Sequence, residues 1–253
     1  MNIKLIVGVF AAAGLVVTTA RSGTIEDIKR AGALNVCANP DALPFSSDSN
    51  APPGIHIELA KMLATQLDVS MQISWVHFRH EAKYTGCDAF MDEAVFGGSE
   101  GPIKRTAAYM NFETVAVTKP GKHLETLEDL NGLRVAMPSA SLAHKILLDR
   151  PVDIAVSYVR ETDILEAVRA GKVDVGLVSN VGFSWYRKLY PNVTLESHST
   201  RFIVEMNGYP IAIGLRKSSA ETVKIINAAL QQLRERGALE QLFAKYGLSE
   251  VLR

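Results

Sequence analysis

The chain has 253 residues, 47% of them hydrophobic, with 27 basic residues against 27 acidic ones and a formal net charge of zero. That balance leaves no electrostatic footprint for nucleic acid or another polyanion. The apolar content is ample for a packed core and excludes a disordered chain, and the length suits one large domain or two lobes.

The opening segment MNIKLIVGVFAAAGLVVTTARSG carries one lysine, an apolar run from Leu5 to Val17 and small residues at Thr18 and Ala20. The run is short for a bilayer span and the small residues suit a signal peptidase, so residues 1–20 are expected to be a secretory leader; the competing reading is an uncleaved anchor. Cleavage removes Lys4 and no acid, so 27 basic residues become 26 against 27 acidic ones. No later stretch approaches membrane length, and the mature chain is expected to be a soluble periplasmic monomer.

A helix is predicted around Thr24 to Arg30, ended by Gly32, then a strand from Leu34 to Ala38 and a loop restricted by Pro40 and Pro44. In GIHIELAKMLATQLD, the residues Ile55, Leu59, Met62, Leu63 and Leu67 fall on one helical face. MQISWVHF and GCDAFM read as strands, with parallel order expected. FGGSEGP (residues 96–102) then interrupts the pattern before ETVAVTK, a strand leaving the first lobe.

ETLEDLNGLRVAMPSASLAHKILLD repeats the opening logic, with a small helix capped by Thr126, a turn at Asn131 and Gly132, the strand LRVAM and a helix. The strand IAVSYV, a helix stopped by Gly171, the strand VDVGLV, the helix VGFSWYRKL and the strand NVTLES follow. YPIAIGLRK reads as an apolar strand. Two helices close the chain, the first with Val223, Ile226, Leu230 and Leu233 on one stripe, and with Gly237 and Gly247 at the C-caps. The economical arrangement sends the chain to a second lobe through VAVTK and back through YPIAIGL, two adjacent hinge strands.

Only Cys37 and Cys87 are present, and two cysteines in an exported chain suggest a disulfide. Yet one sits late and the other early in neighbouring parallel strands, a register that separates them by roughly 10 Å, beyond bridging range. Both outcomes stand open. The six histidines show no HxxxH spacing, His77 and His80 being the closest pair, and no metal site is expected. No GxSxG elbow is present and no histidine can be placed beside Cys37, so no catalysis and no cofactor are expected.

In order and spacing, LNVCANPDALPF, GIHIELAKMLATQL, GCDAF, LETLEDLNGLRVAMPSAS, VRAGKVDVGLV and the segment from Tyr209 to Gly247 resemble the periplasmic solute-binding proteins of the polar amino acid class, family 3. The resemblance covers almost the whole mature chain. CANPDALPFSSDS is more narrowly similar to the branch associated with pyrroloquinoline-quinone alcohol dehydrogenases, the J-type accessory protein of methanol oxidation. The resemblance implies the α/β type II periplasmic binding protein fold, each lobe a mostly parallel sheet flanked by helices and joined to the other by two hinge strands. Lobe 1 is expected over residues 21–116 and 208–253, and lobe 2 over 117–207.

Where two open sheets face one another, a ligand lies beyond the carboxyl ends of the strands. Phe45 is then either a stacking face or a core anchor, with Ser46 or Ser47 offering a hydroxyl. Ser139 and Ser141, at a helix start, either bind an anion or carbonyl or cap the helix. Ser179 and Asn180 bond a ligand or, for Asn180, satisfy their own turn.

The family's amino-acid binders imply an arginine for the ligand carboxylate and an aspartate for its ammonium. Aligning on GKVDV places Ser179 at the aspartate. The arginine is either Arg105 or absent, since counting back from VAVTK falls near Ser99. Without that pair a zwitterion would be poorly compensated, and ordinary amino-acid uptake is disfavoured. Asp92, Glu93 and Glu100, read as loop residues, suit a cation, a hard metal ion or only solvent.

These readings imply a non-catalytic protein that binds a quinoprotein dehydrogenase or its cytochrome, a cofactor or a small ligand. The alternative is a receptor for an ABC importer, with a permease as partner and a solute other than a zwitterionic amino acid. A third is a dehydratase acting on prephenate or arogenate, with Glu93 or Glu100 as general acid.

Overall fold

The computed structural model describes residues 23–49, 52–95, 103–138, 141–158, 160–204 and 208–253. The expected leader, the glycine-rich stretch with Ser99 and Glu100, and Ser139 lie outside them.

The first helix, α1 (Ile25–Ala31), starts where Thr24 Oγ1 accepts from Asp27 N and stops where Gly32 adopts φ +64°. A side chain there would meet the steric penalty of the left-handed region, which glycine escapes. β1 (Ala33–Ala38) leads into the proline loop, which closes as a small ribbon of β2 (Asp41–Ala42) and β3 (Ser46–Ser47). The next helix, α2 (Ile55–Gln66), buries Ile55, Leu59 and Leu63, the face that its spacing predicts. Burying each such side chain is worth about 1.5–3 kcal/mol.

β4 (Ser70–Trp75) and β5 (Ala89–Ala94) flank β1, both parallel to it. The predicted strand over MQISWVHF therefore ends at Trp75, and a 3₁₀ turn over Arg79–Tyr84 follows. A larger difference lies in β5. It runs through Asp92 and Glu93, which are strand residues rather than loop residues, because β12 pairs with Ala89, Phe90, Glu93 and Ala94, with a register shift between the two pairs.

β6 (Ile103–Arg105) precedes β7 (Met110–Thr118). Lobe 2 holds β8 (Arg134–Ala136), α3 (Leu142–Leu147), β9 (Asp153–Ala155), α4 (Glu161–Arg169), β10 (Val175–Ser179), α5 (Asn180–Leu189) and β11 (Glu196–Ser199). The chain returns through β12 (Gly208–Arg216) to α6 (Ala220–Glu235) and α7 (Ala238–Lys245). Thr126 does not cap a helix. Asp129 Oδ2 accepts from Glu125 N and Thr126 N instead, at 2.8 Å each, so a carboxylate closes this short connection.

The strands run β4-β1-β5-β12-β7-β10-β8-β9, and β7 is the joint. Met110–Glu113 pairs antiparallel with β12, whereas Thr114–Val117 pairs antiparallel with β10. One strand thus serves both lobes and changes partner between Glu113 and Thr114. Behind the hinge, Trp185 of α5 packs on Tyr246 after α7, with ring centroids 5.8 Å apart, so the lobes share part of one core.

The disulfide forms. Cys37 and Cys87 are bridged with Cα atoms 5.5 Å apart. The register argument against it assumes an extended approach to β5, but β5 begins only at Ala89. Before that, Cys87 N bonds Thr85 Oγ1 and Thr85 Oγ1 lies 3.4 Å from Cys37 Sγ, so the chain bends across the end of β1.

Candidate functional site

Two cavities lie beyond the carboxyl ends of the strands, one on each side of the hinge. The lobe 1 cavity, about 300 Å³, is walled by Phe45, His56, Arg79, Phe90 and Asp92, with Cys37, Asn39 and Ser46 also in its lining. The lobe 2 cavity, about 440 Å³, is lined by Ser141, Glu161, Ser179, Thr200 and Ile203. Phe112 and Tyr209 line both. These two rings come from the paired hinge strands and stack at 5.3 Å.

Several predicted residues reach these walls but are already engaged. Phe45 lines the lobe 1 cavity while its ring lies 4.9 Å from that of His56. Ser46 Oγ donates to Asn39 O at 2.7 Å. Ser141 Oγ accepts from His144 N and caps α3. Asn180 lines neither cavity: its Oδ1 accepts from Glu113 N at 3.1 Å and its Nδ2 donates to Asn111 O at 3.3 Å. Those bonds reach β7 where it changes partner, which is why a side chain is needed there. Replacing Asn180 with Ala should cost about 1–2 kcal/mol in urea unfolding, because Glu113 N loses its acceptor; an unchanged midpoint would dismiss this role.

Arg105 and Glu93 also turn away from the cavities. Glu93 is 8% exposed and accepts from Arg79 and, at 3.2 Å, from Arg105 Nε. Arg105 is therefore held by a carboxylate within lobe 1 and is not among the residues that line either cavity. The geometry follows from the sheet: β6 places Arg105 opposite Gly214 on β12, and a side chain at Gly214 would press on Glu93. Among the described residues, no cluster of three or more His, Cys, Asp or Glu side chains could hold a metal ion.

Three side chains that line these cavities escaped the sequence reading. Arg79 follows β4 and lines the lobe 1 cavity, its guanidinium 4.0 Å from the Phe90 ring centroid and bridged to Asp92 and Glu93. His56 is 5% exposed, and burial pushes its imidazole down to about 4, with Asp92 pulling the other way. Its Nε2 has no hydrogen-bond partner among the described residues. The available signal was a polar residue between Ile55 and Ile57 in a helix whose neighbours are buried.

Glu161 is the third. Its Oε1 accepts from Ser179 N and its Oε2 from Ser179 Oγ, each at 2.7 Å. Burial raises its carboxyl above the usual range, and the bonds from Ser179 only partly offset that. Gly182 makes the room: a Cβ there would collide with Glu161 Oε2. So the acid missing at Ser179 is supplied by a residue eighteen positions earlier, and no cation pairs with it among the described residues. An acid in the first turn of a helix at the ligand edge of a sheet was the signal.

No protein-family model matches the chain. Among solved structures it is similar to an ancestral cationic amino acid solute-binding protein, with a TM-score of 0.73 and 18% identity over 88% of this chain and 98% of that one. An ABC uptake transporter substrate-binding protein from Streptococcus pneumoniae with bound histidine gives 0.67 and 17%, covering 87% and 94%. A polar amino acid ABC uptake transporter substrate-binding protein from Streptococcus thermophilus gives 0.69 and 18%, covering 90% of each. In sequence, membrane-bound lytic murein transglycosylase F of Hahella chejuensis is 22% identical over 265 residues, 96% of this chain and 50% of that protein. Its counterpart from Stutzerimonas stutzeri is 23% identical, with 96% and 51% covered. The chain thus spans about half the length of the curated relatives it matches. At these identities the likeness establishes the architecture: the chain has the two-lobed α/β fold of type II periplasmic binding proteins.

Proposed function

We propose that this chain is the substrate-binding receptor of an ABC importer, acting in the periplasm, and that its solute carries an ammonium or other organic cation. Glu161 carries the reading: a buried carboxylate on the wall of a cavity, bonded only by Ser179 and opposite no cation among the described residues. A buried charge without a partner is costly, and a ligand cation supplies one. The guanidinium groups of Arg79 and Arg105 are bridged to Asp92 and Glu93 in lobe 1, while Glu161 in lobe 2 bonds Ser179. That balance favours an amine over a zwitterion whose carboxylate needs its own clamp. The names of the structural relatives, binders of cationic and polar amino acids, support a solute with an ammonium group, although those ligands also carry a carboxylate.

Lobe 1 (21–116 and 208–253) and lobe 2 (117–207) close by bending at β7 and β12, and a solute that touches both cavities favours the closed state by its differential affinity. The permease is the partner, and the disulfide suits an oxidising compartment. The comparisons lend the quinoprotein association no support, and the receptor reading takes its place. Calorimetry with propylamine, putrescine, acetate and glucose tests it. The amines should bind and the others should not, and Glu161→Gln, which keeps one acceptor oxygen for Ser179 and puts an NH2 donor in place of the other, should weaken amine binding tens-fold, about 2 kcal/mol. Equal amine affinity in the variant would refute it.

A further inference from the structure

We infer that the lobe 1 cavity is a subsite for an uncharged planar heteroaromatic ring of the ligand, anchored by a hydrogen bond to His56 Nε2. The inference rests on the receptor reading and names the other end of its solute.

The cavity is built from flat groups. Phe45 and His56 face one another at 4.9 Å, the Arg79 guanidinium lies on Phe90, and the stacked rings of Phe112 and Tyr209 form the side toward lobe 2. A planar group offers such walls stacking and edge contacts that a flexible aliphatic chain cannot match. Size agrees: a cavity of about 150 Å³ holds a benzene ring, and this one offers about 300 Å³.

A purely apolar ring would leave one thing unanswered. His56 lines the cavity, and its Nε2 is buried with no partner among the described residues. Buried polar atoms are almost always paired, and an orphan at a cavity wall is met by a ligand atom or a water. Burial keeps the imidazole neutral, so it exchanges a single hydrogen bond with a neutral group and would disfavour a second cation beside it. Asp92, on the same cavity, is tied to Arg79 at 3.4 Å. A ring nitrogen or ring N–H matches that requirement, and a tail amine reaches toward Glu161 past Phe112 and Tyr209.

Histamine at pH 8 joins a neutral imidazole ring to an ammonium and is the first probe, beside tyramine, propylamine and imidazole alone. Calorimetry on the full chain should show histamine binding at least tenfold tighter than propylamine. His56→Phe keeps an aromatic ring, somewhat larger, without the nitrogens and should lose about tenfold in histamine affinity, a larger loss than for propylamine. As a check on the unaltered protein, the ¹⁵N shift of His56 Nε2 should move with histamine and stay put with propylamine. Equal histamine and propylamine affinities, an unchanged His56→Phe titration, or an immobile Nε2 signal at saturation would each overturn the inference. Should imidazole bind and move the His56 signal while no amine gains from Glu161, the ring subsite stands and the cationic-solute reading fails.

Discussion

Replacing both cysteines with serine should lower the unfolding free energy by about 4 kcal/mol. Cys37 and Cys87 are 50 positions apart, and closing a loop of that length restricts the unfolded chain by roughly that amount in the chain-entropy model. Both side chains are buried, 5% and 4% exposed, among Val76, Ala82 and Phe90, so the variant also exchanges packed sulfur for hydroxyls that need partners. Arg216 Nη1, which donates to Cys87 O at 2.9 Å and lies 3.3 Å from its Sγ, can keep the carbonyl bond. At about 2–4 °C per kcal/mol for a chain of this size, a thermal melt should shift down by roughly 10 °C, and adding a phosphine reductant to the unaltered protein should reproduce most of that shift. A melt unmoved by both treatments would mean that the bridge adds nothing to stability. Because Cys37 also lines the lobe 1 cavity, ligand affinity should fall together with stability if the bridge holds the cavity wall in place.

The architecture was legible because it rests on periodic signals. The face of α2 and the glycine stops after α1, α4 and α6 follow from local physics, and the return through β12 follows from the apolar faces that α6 and α7 must bury. The site was legible only in part, because its logic is non-local. Ser179 was read from its strand end and lines the lobe 2 cavity, but the acid beside it is Glu161, and only folding brings the two within 2.7 Å. Arg105 was read as a ligand contact from the arginine that the family resemblance implies, and Glu93 as an acid in a loop by the cleft; the two side chains pair with each other. The disulfide was left open because strand register was extrapolated into a segment that is not yet strand. Asn180, read as bonding a ligand or its own turn, accepts from Val181 N and also bonds Glu113 and Asn111 of β7, contacts visible only once β7 is seen to change partner.

Stability should fall by roughly 3 kcal/mol between pH 6.5 and pH 4 on account of His56 alone. The sign follows from linkage. The imidazole titrates near 6.5 in the unfolded chain and near 4 in the native one, chiefly because burial disfavours the charged ring and despite the attraction of Asp92. In that window the unfolded chain binds a proton that the native state refuses, so the native state is disfavoured as pH falls, at about 1.4 kcal/mol per pH unit. Glu161 works against this trend. Its carboxyl is raised above 4.5, so the native state keeps that proton longer, and its contribution is full below 4.5 and fades as pH rises through the native value. Urea midpoints measured from pH 4 to pH 7 should therefore climb in the unaltered protein, flatten in His56→Phe, and climb more steeply in Glu161→Gln, where the opposing carboxyl is gone. If the His56→Phe curve kept the parent's slope, the imidazole would have to titrate natively near its ordinary value, and the buried, neutral ring on which the cavity chemistry depends would not exist.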